Sequence, residues 1–114
     1  MSFTCSREAE VTVLAVTGEV DATNVGQLTE ALQDCPEGKP LILDLSGLDF
    51  MDSSGLNALV IARRTIEDQA GGHLFFTGLQ GAPYRLFTIT GLMKHVRVYD
   101  SVEAARQAYE RGVA

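Results

Sequence analysis

Apolar residues occur along the chain in short runs that are separated by polar or glycine-containing segments. Val, Ile, Leu and Phe dominate most of these runs, and over so few residues this composition favours β-strands. The predicted strands are Phe3–Arg7, which alternates only loosely, Val11–Thr17, Leu41–Leu45, His73–Thr77 and Val96–Tyr99. The Glu8–Glu10 segment predicts a hairpin turn, and Gly18 is expected to end the second strand.

Between these strands, apolar residues recur at the three- and four-residue intervals of a helix. The first helix is predicted from about Asn24 to Asp34, because Asn24 and Gln27 have capping-box spacing. The other predicted helices run from Ser54 to the Gly71–Gly72 pair, from Pro83 to Thr90, and from a cap formed by Asp100 and Glu103 over Val102, Ala105 and Ala108 or Tyr109.

Strands that alternate with helices after an initial hairpin predict an α/β fold. We expect a small mixed, partly parallel sheet of four or five strands, layered with about four helices. A chain of 114 residues with 46% hydrophobic residues is expected to form a single domain over residues 1–114.

Charge and cysteine content narrow the classes of function. The net charge of −6 argues against nucleic acid as a partner, because binding it needs a concentrated basic surface. No apolar run approaches the roughly 18 residues that cross a bilayer, and no signal-peptide core is visible. We therefore expect a soluble cytoplasmic protein without membrane association. Cys5 and Cys35 make no disulfide framework and are expected to be reduced, mostly buried thiols.

The most informative stretch is Leu41–Leu56, which combines a strand, a short loop carrying Asp49, Phe50 and Met51, and a helix start. Asp52, Ser53 and Ser54 precede an apolar helical segment, and their side-chain oxygens are suited to cap its first N–H groups. Free N–H groups and the helix dipole at such a position also favour an added anion.

Catalytic and metal-binding interpretations find little support. A serine between a strand and a helix suggests a hydrolase nucleophile, but that turn needs small residues two places on either side. Met51 and Asp52 occupy the positions two places before Ser53 and Ser54. The two histidines and two cysteines lack metal-ligand spacing, and no glycine-rich nucleotide loop is present. We expect no enzyme activity, no cofactor and no metal.

On a helical wheel, the helix after Ser54 has a face of small and apolar residues that should lie on the sheet: Gly55, Ala58, Leu59, Ala62 and Ile66. Leu56 and Val60 fall beside that face and flank Asn57 on the side nearest Ser53. These two apolar residues are either semi-buried positions or part of a docking patch formed by Ser53, Leu56, Asn57 and Val60.

One heptapeptide resembles a known motif, the phosphorylation loop of STAS domains and, more narrowly, of bacterial anti-sigma factor antagonists: Phe50-Met51-Asp52-Ser53-Ser54-Gly55-Leu56. The resemblance extends to Gly18–Asp21, to Gly71–Gly72 and to Gly91–Leu92, and it spans nearly the whole chain. It implies the same small α/β architecture that the alternation of strands and helices predicts.

The resemblance also implies roles for individual residues. Taken alone, the polar residues before the helix are more simply explained as a cap. The family instead implies that Ser53 accepts a phosphoryl group, that Ser54 is a neighbouring hydroxyl suited to cap the helix, and that Asp21 contacts the partner beside the loop. With Asp52 and the docking patch, these residues form the predicted partner-binding site.

The implied function is that of an anti-sigma factor antagonist. In that family the unphosphorylated domain binds an anti-sigma factor that is also a serine kinase, and the sigma factor is released. Phosphorylation ends the complex, and a serine phosphatase restores the binding form. We expect a monomer or weak dimer. The alternative is a structural STAS subunit within a larger signalling scaffold or beside a membrane transporter.

Overall fold

A mixed sheet forms the centre of the fold in the computed structural model, which describes residues 1–8, 10–36 and 38–112. Six strands belong to it within those residues: β1 (Ser2–Arg7), β2 (Thr12–Val20), β3 (Leu41–Asp44), β4 (Leu48–Met51), β5 (Leu74–Thr77) and β6 (Arg97–Tyr99). The strand order is β1-β2-β3-β5-β6, with β4 beside the far end of β2. Strand β1 is antiparallel to β2, and the other neighbouring pairs are parallel.

The helices fall where the apolar spacing predicts them. They are α1 (Val25–Gln33), α2 (Ser53–Arg63), which continues into a π-helical segment (Arg64–Gln69), α3 (Gly81–Ile89) and α4 (Val102–Glu110), with a short 3-10 turn at Leu92–Lys94. The α/β class and the antiparallel hairpin at the start of the chain are therefore confirmed. The predicted turn at Glu8–Glu10 includes Ala9, which lies outside the described residues.

The two faces of the sheet bury separate apolar clusters because alternate strand residues point to opposite sides. Leu41 and Leu43 of β3 join the larger cluster, which also takes in residues of α1, α2 and α3. Ile42, between them, joins the smaller cluster with Phe75 and with Ala105 of α4. The leucine-rich β3 strand is thus covered on both faces, as its composition predicts.

Strand β4 was predicted as loop. Its outer residues Leu48 and Met51 are buried while Asp49 and Phe50 between them are exposed, so the stretch lacks the alternation that identifies a strand in sequence. The prediction that Gly18 ends β2 is also wrong. Strand β2 pairs with β3 up to Ala15 and with β4 from Gly18 onward. Gly18 has a φ of 92°, and the register of the β2–β4 pairing shifts directly after it.

Two helix starts differ from the predicted caps. The Asn24 side chain accepts a hydrogen bond from the Asp21 N–H and donates to the Glu19 carbonyl, both at 2.9 Å. It therefore closes the preceding turn and forms no capping box with Gln27. Helix α4 is capped by Ser101 rather than Asp100, because the Ser101 hydroxyl oxygen accepts from the Ala104 N–H at 3.1 Å.

Two buried threonines allow a test of the sheet's polar contacts. Thr12 is fully buried, and its hydroxyl has no hydrogen-bond partner among the described residues. Thr12→Val replaces that hydroxyl with a methyl group of similar size, and we expect unfolding to become less favourable by about 1 kcal/mol. The melting temperature should rise by roughly 4 °C in a thermal scan.

The matched control is Thr77→Val, because the equally buried Thr77 hydroxyl donates to the Leu43 carbonyl at 2.8 Å. Loss of that bond should cost about 1 kcal/mol. A fall in melting temperature for both variants would contradict the assignment of an unsatisfied hydroxyl to Thr12.

Candidate functional site

Parallel pairing of β2 and β4 brings the predicted site residues to one edge of the sheet. The register places Val20 opposite Met51, so Asp21 and Asp52 each follow directly after a paired strand end. The Asp52 N–H donates to the Val20 carbonyl at 3.1 Å and extends the ladder by one bond. Asp21 and Asp52, which are 31 positions apart in the sequence, are thereby adjacent at the start of α2.

Asp52 is the N-cap of α2. One of its carboxylate oxygens accepts from the Ser54 N–H at 2.9 Å and from the Gly55 N–H at 3.3 Å, and its carbonyl accepts from the Leu56 N–H at 3.1 Å. The prediction that Ser54 caps the helix is therefore wrong, because the Ser54 N–H is itself capped. The Asp52 carboxylate already occupies donors that the sequence suggested were free for an added anion.

Ser53 is the first residue of α2, and its side chain is exposed. Its hydroxyl makes no hydrogen bond to any other described residue, whereas the neighbouring Asp52 side chain is engaged in the cap. Asp49 is exposed three residues before Asp52. In the described ranges no ion pair involves Asp21, Asp49 or Asp52, so Ser53 presents a free hydroxyl in an acidic surrounding.

Asp21 is held in a tight turn between β2 and α1. One of its carboxylate oxygens accepts from the Thr23 hydroxyl at 2.5 Å and from the Thr23 N–H at 2.9 Å. These two hydrogen bonds lower the pKa of the Asp21 carboxyl below its ordinary value, and the bond from the Thr23 hydroxyl contributes more than the bond from the Thr23 N–H. Asp21 therefore presents a fixed negative charge beside the start of α2.

Gly55 allows α2 to begin close to the strand ends. A Cβ atom at this position would lie 2.7 Å from Met51 Cγ and 2.9 Å from Val20 Cγ1, closer than side-chain carbons pack. The predicted sheet-facing side of the helix is confirmed. Gly55, Leu59 and Ala62 are buried, and Ala58 and Ile66 pack against the same core from partly buried positions.

The predicted docking patch is only partly exposed. Asn57 is exposed and Val60 is half-buried, outside the core cluster. Leu56, in contrast, is only 9% exposed and belongs to that cluster. Its assignment to the patch is wrong, because the buried arc of α2 is wider than the stripe of small residues on the wheel.

Two exposed apolar side chains on β4 and α2, the two elements that flank Asp52, were not predicted as part of the site. Ile61 is 52% exposed on α2, and its position on the wheel, away from the core face, was a usable signal. Phe50 is 43% exposed on β4, three residues before Ser53. No signal identified Phe50 as an outward-facing strand residue, because β4 itself was not recognised.

The geometry brings neither histidine to Ser53, because His95 precedes β6 just as His73 precedes the parallel strand β5. His73 precedes β5 at the amino edge of the parallel strands and packs against Tyr109 at a ring-centroid distance of 5.4 Å. Ser53 follows β4 at the opposite, carboxyl edge. Within residues 1–8, 10–36 and 38–112, no three His, Cys, Asp or Glu side chains gather as metal ligands would. None of the helices described there combines the length and the apolar character needed to span a bilayer.

Comparison with known families matches residues 4–105 to the STAS domain model. The chain belongs to the STAS domain family. A similar protein is the anti-sigma-B factor antagonist of Listeria monocytogenes serovar 1/2a, which is 34% identical over 94 residues, or 81% of this chain and 82% of the relative.

Solved structures support the same assignment of fold. An anti-sigma factor antagonist from Mycobacterium paratuberculosis superposes with a TM-score of 0.81 at 25% identity, over 94% of this chain and 92% of that one. Unphosphorylated SpoIIAA gives a TM-score of 0.73 at 24% identity over 99% of both chains. The phosphorylated form of SpoIIAA, from Bacillus, gives 0.68 at 22% identity over 94% of this chain and 99% of that one. The STAS fold expected from the motif is therefore confirmed.

Proposed function

We propose that this STAS domain is an anti-sigma factor antagonist whose binding is controlled by phosphorylation of Ser53. The observation that carries the proposal is the free, exposed Ser53 hydroxyl at the start of α2, placed by strand pairing beside Asp21. The name of the Listeria relative supports the antagonist role. The partner is then an anti-sigma factor, and capturing it releases a sigma factor for transcription in the cytoplasm.

The proposed switch is a phosphoryl transfer that the partner performs. An anti-sigma factor that is also a serine kinase transfers the γ-phosphoryl group of ATP to the Ser53 oxygen. A bond forms between that oxygen and phosphorus, the bond to the ADP leaving group breaks, and the hydroxyl loses its proton. A serine phosphatase later hydrolyses the phosphoserine. The STAS domain supplies the acceptor and its position, and it catalyses neither step.

The proposed contact surface consists of the strand-end edge and the outward flank of α2: Asp21, Asp52, Ser53, Ser54, Asn57 and Val60. Asp52 contributes chiefly by fixing the helix start through its two capping bonds. Asn57 lies one helical turn after Ser53, and Val60 follows three residues later, so these three side chains can be covered together by one partner. Leu56 supports this surface from the core.

Phosphate should act at the interface and leave the fold unchanged. Phosphoserine carries about −1.5 to −2 charge at neutral pH. The Asp52 carboxylate already holds the N–H groups of Ser54 and Gly55, so the helix start offers the phosphate little new hydrogen bonding. Repulsion from the neighbouring carboxylates is screened because Ser53 is exposed. Binding, in contrast, would require desolvation of the dianion, which costs several kcal/mol.

Substitution of Ser53 tests the acceptor. Ser53→Ala should alter the free energy of unfolding by less than about 0.5 kcal/mol, because the hydroxyl is exposed and has no partner among the described residues. The variant should capture the anti-sigma factor in a pull-down and keep it when ATP is added. Ser53→Asp should bind poorly.

Ser54→Ala is the matched control, because Ser54 is the adjacent hydroxyl on the same helix turn and contributes its N–H rather than its side chain to the cap. It should still acquire phosphate and release the partner. If Ser53→Ala still acquired phosphate, the phosphoryl acceptor would have to be another residue. If the chain instead co-purifies in a large stable assembly that contains no ATP-binding protein, the structural STAS role would be favoured.

Aspartate substitutions along α2 test the corrected surface. Leu56→Asp and Leu59→Asp each bury a carboxylate without a partner and should destabilise the domain by several kcal/mol in urea unfolding. Val60→Asp should leave the unfolding midpoint almost unchanged and weaken capture of the anti-sigma factor by tenfold or more. Ile89→Asp, on the exposed side of α3, is the control and should preserve both properties. Equal destabilisation by Val60→Asp and Leu59→Asp would show that Val60 is core.

Amide chemical shifts test the local action of phosphate. When Ser53 is phosphorylated, we expect shifts confined to residues 49–60 and the Asp21 turn, while affinity for the anti-sigma factor falls roughly a hundredfold, corresponding to about 2.7 kcal/mol. Shifts that spread through β5, β6 and α4 would show that the fold rearranges and would contradict the interface mechanism.

A further inference from the structure

The fold brings two cysteines that are 30 positions apart in the sequence to the same region, at the open edge of the sheet. Cys5 lies on the edge strand β1 directly opposite Leu14, which belongs to the cluster covered by α1 and α2. Cross-strand partners in an antiparallel pair share a face, so Cys5 faces the same side. Cys35 follows the end of α1 and packs against that same cluster.

Neighbouring contacts hold the two backbones together. The Arg7 guanidinium donates to the Asp34 carbonyl at 3.3 Å. Arg7 lies two positions along β1 from Cys5 and therefore on the same face, and Asp34 immediately precedes Cys35. The Cys35 thiol also donates to the Ala31 carbonyl at 3.3 Å, which fixes its position at the helix end.

The two thiols differ in their surroundings. The pKa of the Cys35 thiol is raised to about 11, chiefly by burial and to a smaller extent by the charge and hydrogen bonding of the adjacent Cys5 side chain. The influence of Cys5 on this pKa agrees with the placement that the strand register gives. Cys5 itself is exposed, so the expectation that both thiols are mostly buried is wrong for Cys5 and holds only in part for Cys35.

We propose that Cys5 and Cys35 form a reversible intramolecular disulfide when the protein meets a peroxide. The exposed Cys5 thiol gives up its proton, and the thiolate sulfur attacks one oxygen of hydrogen peroxide. The O–O bond breaks, and the departing hydroxide takes up that proton, so that Cys5 sulfenic acid and one water result. The Cys35 sulfur then attacks the Cys5 sulfur, expels the oxygen as a second water and loses its proton. Two thiols and one hydrogen peroxide yield one disulfide and two waters.

The disulfide would tie the edge strand to the end of α1 across the site of the Arg7–Asp34 contact. It would close a loop of about 31 residues and restrict the unfolded chain accordingly. The thiols lie beyond the C-terminal end of α1, whereas Asp21 lies before its N-terminal end. The proposed disulfide therefore does not depend on the proposed antagonist function.

The test is oxidation of the purified full chain with one equivalent of hydrogen peroxide at low protein concentration. Peptide mapping under non-reducing conditions should find one cross-link joining Cys5 to Cys35, with loss of two hydrogen masses and of both reactive thiols. The melting temperature should rise by roughly 10 °C and return to its starting value with dithiothreitol.

Cys5→Ser and Cys35→Ser are the controls. Both should fold with unchanged secondary structure, and neither should gain thermal stability on oxidation. Cys35→Ser should accumulate sulfenic acid at Cys5, which a sulfenic-acid-selective reagent would label. The proposal is overturned if the wild-type chain forms only disulfides between copies, if oxidation stops at Cys5 as it does in Cys35→Ser, or if the cross-linked monomer is less stable than the reduced one.

Discussion

The candidate site depends on the parallel pairing between the last residues of β2 and the short strand β4. Gly18 makes that pairing possible, because its positive φ occurs at the first residue that β2 pairs with β4, and the register of this pairing shifts directly after it. Any residue with a Cβ would be strained in this conformation. Beyond the shift, Val20 and Met51 are aligned, and the Asp52 N–H closes the ladder on the Val20 carbonyl. The position of α2 follows from this alignment.

Asp52 connects the strand pairing to the helix. Its backbone N–H belongs to the ladder, and its side chain caps α2. Ser53 therefore begins a helix in which the N–H groups of Ser54, Gly55 and Leu56 all bond to Asp52. The Ser53 hydroxyl has no hydrogen-bond partner in the described part of the chain, and the capping does not depend on it. A residue in that position can be modified at little cost to stability. The proposed switch depends on this separation of the capping role, held by Asp52, from the proposed acceptor, Ser53.

Much of this arrangement could be predicted from sequence because its signals are local. The leucine-rich run at Leu41–Leu45 indicated a strand covered on both faces, and small residues recurring after Gly55 indicated the face of α2 that packs on the sheet. The heptapeptide Phe50–Leu56 indicated that the site lies at the junction between a strand and a helix. These features depend on the spacing of apolar residues and on the identity of turn and capping residues, both of which can be recognised within a short segment of sequence.

The errors share a different cause, because each concerns a residue whose environment is set by distant parts of the chain. Strand β4 forms because β2 continues past Gly18 and pairs with it, and the sequence of Leu48–Met51 does not by itself indicate that this pairing occurs. Leu56 is buried by a core wider than one helix face, and Asn24 caps a turn instead of a helix because the Glu19 carbonyl lies within reach. Proximity of the cysteines likewise results from the pairing of β1 with β2 and is invisible in their spacing.

The acidic surface around Ser53 constrains how the partner must bind. A partner that met Asp21 and Asp52 only with well-hydrated basic side chains would also attract a phosphate, and phosphorylation would then strengthen the complex. For phosphorylation of Ser53 to inhibit binding, the free energy lost by dehydrating the phosphate must exceed the free energy gained from its attraction to the partner. The proposed contact at Ser53 must therefore be close and dry, with the partner's positive charge directed toward Asp21. The half-buried Val60 and the exposed Asn57 supply a surface that can exclude water next to Ser53, while the fixed Asp21 carboxylate remains at its side.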